Sequence, residues 1–323
     1  MRRFEYARPR TPQEAVDLVA GSDDAAFLAG GSNLVDHLKV GIASPGVLVD
    51  VGGLGLDRVE ETDGGLRIGA GVRNSDLAAH PVVRSRYAVL ARSLLAGASA
   101  QIRHQATTAG NLLQRTRCVY FYDATTPCNK REPGTGCSAV DGYQRYNAIL
   151  GASAACVTVH PSDLAVGLAV LDATVEVLGP DGARTLPLAD LHRLPGDSPE
   201  QDTTLAHGEL ITAVTVPRLP EGAVSTYYKA RDRASYAFAL VSVAAVVAGD
   251  EVRVAWGGVA HRPWRATVLE EALRGGPLDE ETVRAACLEE LAPATTGPGT
   301  AFKLEMVTGA TAMVLTDLAG RAR

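Results

Sequence analysis

The residues here whose types and spacing carry chemistry are cysteines and clustered glycines. Four of five cysteines, Cys118, Cys128, Cys137 and Cys156, fall within one 39-residue window, and Cys287 stands apart. Their spacing, Cys118-x9-Cys128-x8-Cys137-x18-Cys156, contains no C-x-x-C pair, whereas structural zinc sites usually bring their ligands in close pairs. Four thiolates also suit a [4Fe–4S] cluster. The surroundings fit that better than zinc, with four unrelated buried cysteines as the plain alternative. Pro127–Cys137 is a Gly- and Pro-rich loop, able to wrap a cluster and aim N–H groups at sulfur. Arg115, Arg117, Lys130, Arg131 and Arg145 would offset the negative charge of the thiolates. Cys287, on a helix over 281–291, reads as a small buried hydrophobe.

Three glycine clusters compete as phosphate sites. Ala29-Gly30-Gly31-Ser32-Asn33-Leu34 stands between a buried strand and a helix. Two glycines there let backbone N–H groups approach a phosphate, and the helix N-terminus behind them adds partial positive charge. Gly69-Ala70-Gly71-Val72-Arg73-Asn74 begins like G-x-G-x-x-G, but Asn74 takes the third glycine position and no parallel βαβ unit surrounds it, so a Rossmann site is rejected. Thr107-Thr108-Ala109-Gly110-Asn111-Leu112 offers hydroxyls, a glycine and an amide. Together with the first cluster it could clamp one diphosphate from both sides.

The elements that must position these residues read as three units. Residues 1–56 form a small α/β unit: a helix led by Thr11 and Pro12, strands at 26–29 and 47–51, and a helix from Asn33. Residues 57–218 form a larger unit with strands at 66–71, 173–177 and 208–216, and helices from Asn74 and over 89–98; the cysteine window, 115–157, lies inside it. After a linker at 218–222, residues 223–323 read as three antiparallel strands (226–230, 239–247, 252–257) and helices at 264–274, 279–292 and 302–319.

Composition bounds the function. The 323 residues are 46% hydrophobic and 21% charged, ordinary for a globular protein with a sizeable core. A net charge of -6 argues against a general nucleic-acid binder. The most apolar run, 238–248, is about half the ~20 residues of a membrane helix, so no membrane insertion is expected. Met1-Arg-Arg-Phe-Glu-Tyr has no apolar region to act as an export signal, and an odd cysteine count speaks against a disulfide framework. There is no H-E-x-x-H, no G-x-S-x-G and no carboxylate cluster arranged for acid–base work, so no catalytic residue is assigned.

With the glycine loops and cysteines in hand, the sequence resembles the FAD-binding (medium) subunits of the xanthine dehydrogenase and molybdenum aldehyde oxidoreductase family. Leu28-Ala-Gly-Gly-Ser-Asn-Leu34, Gln101-Ile-Arg-His-Gln-Ala-Thr-Thr-Ala-Gly-Asn111 and His160-Pro-Ser-Asp163 stand in the expected order. Arg117-Cys-Val-Tyr-Phe-Tyr-Asp123 and Pro127-Cys-Asn-Lys-Arg-Glu-Pro-Gly-Thr-Gly-Cys137 resemble the bacterial subgroup with an additional [4Fe–4S] cluster. Ala109 departs from the family's Gly-Gly-Asn.

The resemblance implies a two-subdomain FAD-binding domain of the PCMH type, α/β and not Rossmann, followed by an α+β domain like that of carbon monoxide dehydrogenase flavoproteins. It implies that Phe27, Leu28, Ala29, Gly30, Gly31, Ser32, Asn33 and Leu34 hold the FAD pyrophosphate, with Thr108, Ala109, Gly110 and Asn111 completing the cradle. Asp163, Ile211 and Lys229 would stand by the flavin, and Cys118, Cys128, Cys137 and Cys156 would bind the cluster. It further implies a heterotrimer. A large subunit with a molybdenum pterin would oxidise an aldehyde, and a small subunit with two [2Fe–2S] clusters would pass electrons to this FAD and on to an external acceptor. The compartment is expected to be cytoplasmic, or periplasmic by co-export with a partner. The alternatives are the flavin subunit of a 4-hydroxybenzoyl-CoA reductase-like enzyme, a stand-alone flavoprotein oxidoreductase, and a zinc-stabilised binding protein.

Overall fold

The structure is a computed structural model that describes residues 1–321. It contains three sheets. β1 (Glu5–Ala7), β2 (Ala25–Leu28) and β3 (Val47–Asp50) form a parallel sheet in the order β1-β3-β2. Between β1 and β2 runs the helix Pro12–Ala20, which starts where the sequence says it must: Thr11 Oγ1 accepts from the Glu14 N–H at 3.1 Å and Pro12 opens the first turn. Its Ala15, Val16 and Val19 are buried with Val49, Leu54 and Leu210. β2 runs directly into the first glycine loop, and the helix Leu34–Val40 follows.

β4 (Val59–Thr62), β5 (Gly65–Gly69), β6 (Thr174–Gly179), β7 (Gly182–Pro187) and β8 (Leu210–Pro217) make a second sheet, antiparallel throughout, in the order β4-β5-β8-β6-β7. This agrees with rejecting a Rossmann unit at Gly69–Asn74. β4 and β7 have no apolar alternation, being exposed edge strands, so the sequence gives no sign of them. The helices Ala88–Ala96 and Asp163–Ala169 pack with this sheet in the largest core.

The third sheet, β9 (Val224–Ala230), β10 (Val241–Ala248), β11 (Glu251–Gly257) and β12 (Trp264–Arg265), is antiparallel in the order β12-β11-β10-β9. The apolar run of β10, interrupted only by the buried Ser242, has a reason here. Ala244 and Val246 join the core of the second sheet, while Val241, Val243, Ala245 and Val247 face the helices Thr267–Leu273, Glu280–Glu290 and Phe302–Arg321. A strand covered on both faces has no polar side. The helix expected at 264–274 starts only at Thr267, because Trp264 and Arg265 extend the sheet. Among the described residues no helix is long and apolar enough to cross a membrane. The cysteine window carries only the short helix Val119–Tyr122 and is otherwise loop.

Candidate functional site: an elongated cavity beside a cysteine cage

A cavity of about 560 Å³ opens between the first and third glycine loops, the start of the helix Asp163–Ala169 and the third sheet. Ser32 and Asn33 of the first glycine loop, Gly110 and Asn111 of the third, and Asp163 and Lys229 all line it. Residues from both glycine loops and from the third sheet, far apart in sequence, thus meet around one space.

Each loop is shaped locally. Gly31 has φ +70°, and a Cβ at Gly30 would overlap the Gln105 carbonyl oxygen. The third loop opens the short helix Thr108–Leu112, whose N-cap Thr107 accepts from the Gly110 N–H at 3.2 Å. Asn111 Oδ1 accepts from Ser162 Oγ at 2.6 Å and from Gln114 Nε2 at 2.9 Å, which leaves its amide nitrogen as the donor it can offer. Ser162 in turn caps the helix that begins at Asp163, accepting from Ala165 N–H at 2.9 Å.

Asp163 and Lys229 form a buried ion pair. Lys229 Nζ donates to Asp163 Oδ2 at 2.7 Å, and both side chains are under a tenth exposed. Tyr227 O–H donates to the other carboxylate oxygen at 2.5 Å, and burial, followed by the Asp163 charge, drives the Tyr227 pKa well above its ordinary value. Sequence reasoning missed Tyr227; its place two residues before Lys229, on the same face of β9, was the available signal. It also missed Asn74, whose buried Oδ1 has no partner and which lines the cavity. Ala98 and Tyr236, two of three non-glycine residues with positive φ, line it as well.

Other expected site residues stand back from the cavity. Phe27, Leu28, Ala29, Gly30, Gly31 and Leu34 support the loop without lining the space, as do Thr108 and Ala109. Thr108 is fully buried, its hydroxyl donating to the Val72 carbonyl at 3.1 Å. Ile211 lies in the core of the second sheet, 1% exposed and paired with Val177 in β6. The alternation of β8 gives Leu210 to the core beneath β3 and Ile211 to the opposite face, and neither reaches the cavity.

The four clustered cysteines converge. Cys118, Cys128, Cys137 and Cys156 all line one small cavity, with Phe121 and Lys130. Cys128 and Cys137 face one another across an antiparallel bridge, and Cys156 bridges Ser153. Gly134 and Gly136, at φ +86° and +102°, turn the loop between the first two. The Cys137 thiol is held well below its ordinary pKa, first by the Cys156 thiol and then, against burial, by the backbone N–H groups of Ala139, Val157 and Val140. Burial raises Cys118. Among the described residues no three His, Cys, Asp or Glu side chains are arranged to hold a metal ion. Cys287 is fully buried in the C-terminal core, as a small hydrophobe would be.

Thr116, Cys118 and Thr158 line both cavities, so the two spaces share a wall.

Residues 2–219 match the family described as FAD binding domain in molybdopterin dehydrogenase, and residues 226–317 match the CO dehydrogenase flavoprotein C-terminal domain. The chain belongs to the family of molybdopterin dehydrogenase FAD-binding subunits. One relative is the aldehyde oxidoreductase FAD-binding subunit PaoB of Escherichia coli (strain K12), 57% identical over 85% of this chain and 87% of that one. Another is the glyceraldehyde dehydrogenase medium chain of Sulfolobus acidocaldarius, 28% identical over 87% of this chain and 84% of its own. The fold agrees with carbon monoxide dehydrogenase from Hydrogenophaga pseudoflava, at TM-score 0.76 and 25% identity over 99% of this chain and 98% of that one. For the enzyme from Oligotropha carboxidovorans the TM-score is again 0.76, with 23% identity over 98% of each.

The residues present fit the family's flavin. The cavity has the size of a cofactor site and is lined by uncharged donors from two glycine loops. Gly257 and Gly258 also line it. A side chain at Gly257 would overlap Ser242, and Gly258 has φ +74°, so backbone alone fits there.

Proposed function

We propose that this chain is the FAD- and [4Fe–4S]-containing electron-transfer subunit of a molybdenum-dependent aldehyde oxidoreductase. Its partners are a large subunit bearing a molybdenum pterin, where the aldehyde becomes a carboxylic acid, and a small subunit with two [2Fe–2S] clusters. The observation that carries the reading is the common wall of the two cavities, one fitted to a flavin and one ringed by four cysteines. The aldehyde assignment rests on the 57% identity to a subunit of that name.

In this reading Phe27–Leu34 and Thr108–Asn111 form the diphosphate cradle, with Ser32, Asn33, Gly110 and Asn111 as the groups nearest the ligand. Asp163 and Lys229 stand at the same cavity as a neutral, internally satisfied pair, so they add polarity to the flavin's surroundings without net charge. Cys118, Cys128, Cys137 and Cys156 each supply one thiolate. In a cluster each of the four thiolates would hold a different iron. When bound, FAD supplies the exchange of electrons between one-electron carriers and an external acceptor. The protein's part is to bind, orient and shield.

Anaerobic purification followed by iron and flavin quantitation tests this. About four irons per chain are expected for one Cys₄ cluster, with one FAD, and iron lost in Cys128→Ser and Cys137→Ser. FAD without iron would sink the cluster assignment and leave a flavin subunit. Zinc without flavin would overturn the reading.

A further inference from the structure

Five cations surround the cysteine window, and the structure sorts them. Arg145 pairs with Asp232. Arg131 donates to the carbonyls of Tyr120, at 2.7 Å, and Phe121, at 2.9 Å. Arg117 donates to the Tyr122 hydroxyl at 2.9 Å and lines the larger cavity. Only Lys130 lines the cysteine cavity itself, and its side chain is 1% exposed. Its ammonium is fixed, donating to the Pro199 carbonyl at 2.7 Å and to Asp202 Oδ1 at 2.5 Å.

Asp202 is shared. Arg115 Nε donates to its other oxygen at 2.6 Å, and Arg115 Nη2 reaches the Glu200 carbonyl at 3.1 Å and the Lys130 carbonyl at 3.3 Å. The Arg115 guanidinium lies 4.8 Å from the Phe121 ring centre, and Phe121 lines the cysteine cavity. The Arg115 backbone N–H donates to Asn33 Oδ1 at 3.0 Å, which ties the group to the first glycine loop. Two cations on one carboxylate carry a net charge of +1; Lys130 is out of water at the wall of the cysteine cavity, while Arg115 and Asp202, behind it, are each about a quarter exposed.

We propose that the Lys130–Asp202–Arg115 triad sets the reduction potential of the cluster held by Cys118, Cys128, Cys137 and Cys156, with Lys130 as the tuning residue. This rests on the cluster reading above. A one-electron reduction adds one negative charge inside the cage without making or breaking a bond. A buried, immobile positive charge beside the cage favours that reduced state and raises the potential, because low-dielectric surroundings screen it little. Asp202 opposes the effect and holds the ammonium in place. Charge beside a cluster is a recognised determinant of its potential, and here the charge is part of the fold.

The test is an EPR-monitored redox titration of the intact purified complex, with iron quantitation alongside, for the native sequence, Lys130→Met, Lys130→Arg and Asp202→Asn. Lys130→Met should lower the cluster midpoint by at least a tenfold change in its reduction equilibrium, 59 mV for one electron. Asp202→Asn should raise it, and Lys130→Arg should restore most of the native value. Opposite signs are the signature, since general damage has no reason to produce them. Midpoints that stay at the native value, or move together, with iron retained would overturn the tuning role. So would loss of iron in both Lys130→Met and Asp202→Asn, which would make the triad a brace for the loop. Native complex without iron would instead sink the cluster reading itself.

Discussion

Asp163 shows how far a single residue's role depends on what closes around it. In the sequence it is an aspartate after His160-Pro-Ser; in the fold it is the first residue of a buried helix, bonded to Lys229 and Tyr227 and lining the larger cavity. Removing one member of a buried pair strands the other charge, at a cost of about 3–5 kcal/mol. Asp163→Ala should therefore lower the denaturation midpoint and reduce the flavin retained on purification. If the variant keeps both native stability and full flavin, the pair is incidental. Lys130 teaches the same lesson. The sequence marks it as one of five nearby cations, and only packing shows that it alone reaches the cysteine cavity.

At the scale of elements, the glycine loop and the helix ends behave as local chemistry predicts, but tertiary neighbours decide why. Gly30 reads as a phosphate-binding glycine, yet the backbone that comes closest to it is Gln105, at the end of the helix Ala100–Gln105. Gly30→Ala should push the two loops apart and weaken FAD binding while leaving the cysteine cavity in place; the flavin-to-iron ratio measured after purification should fall. The helix Thr267–Leu273 has no cap of its own. Glu290, from a different helix and 5% exposed, accepts from the Val268 N–H at 2.8 Å, the Leu269 N–H at 3.2 Å and Trp264 Nε1 at 2.8 Å. Glu290→Ala leaves these donors unpaired and should destabilise the protein by about 2 kcal/mol; Glu290→Gln, which keeps an acceptor, should lose less. Equal midpoints for the two variants in a chemical denaturation series would refute the cap.

Lys303 belongs to the scale of the whole molecule. It is fully buried on the C-terminal helix, and its Nζ donates to the carbonyls of Asn147 and Gly258, each at 2.7 Å. Asn147 belongs to the cysteine window, and Gly258 follows β11, so one amine joins three distant segments. Both Asn147 and Gly258 line the larger cavity. Burial, with a smaller contribution from Arg145, lowers the Lys303 pKa from 10.5 to about 7. A neutral amine has two N–H groups, matching two carbonyls. Below about pH 7 the folded and unfolded chains both carry the proton, so the penalty is present in full. Between about 7 and 10.5 the unfolded chain binds more protons, so this residue's contribution to stability rises with pH. Native protein should therefore gain stability relative to Lys303→Met between pH 7 and pH ~9.5. Parallel stability curves for the two proteins would contradict the depressed pKa.

What the sequence alone determined is whatever short-range chemistry writes: the Thr11–Pro12 helix start, the turn glycines, the buried β10 run, and the four cysteines gathered in one window. Residues 218–222 read as a polar, proline-bearing break between apolar strands, and the chain does break there between β8 and β9. Only the tertiary structure decided which groups share a space. Ile211 carries a strand signal as clear as Val214, but strand period fixes the face and not the neighbour, and the face it took was the core. Edge strands β4 and β7, the Lys130–Asp202–Arg115 triad and the wall of Thr116, Cys118 and Thr158 left no pattern in the sequence. Each depends on segments from distant parts of the chain meeting, and adjacency of that kind is set by how the sheets pack, not by the order of residues.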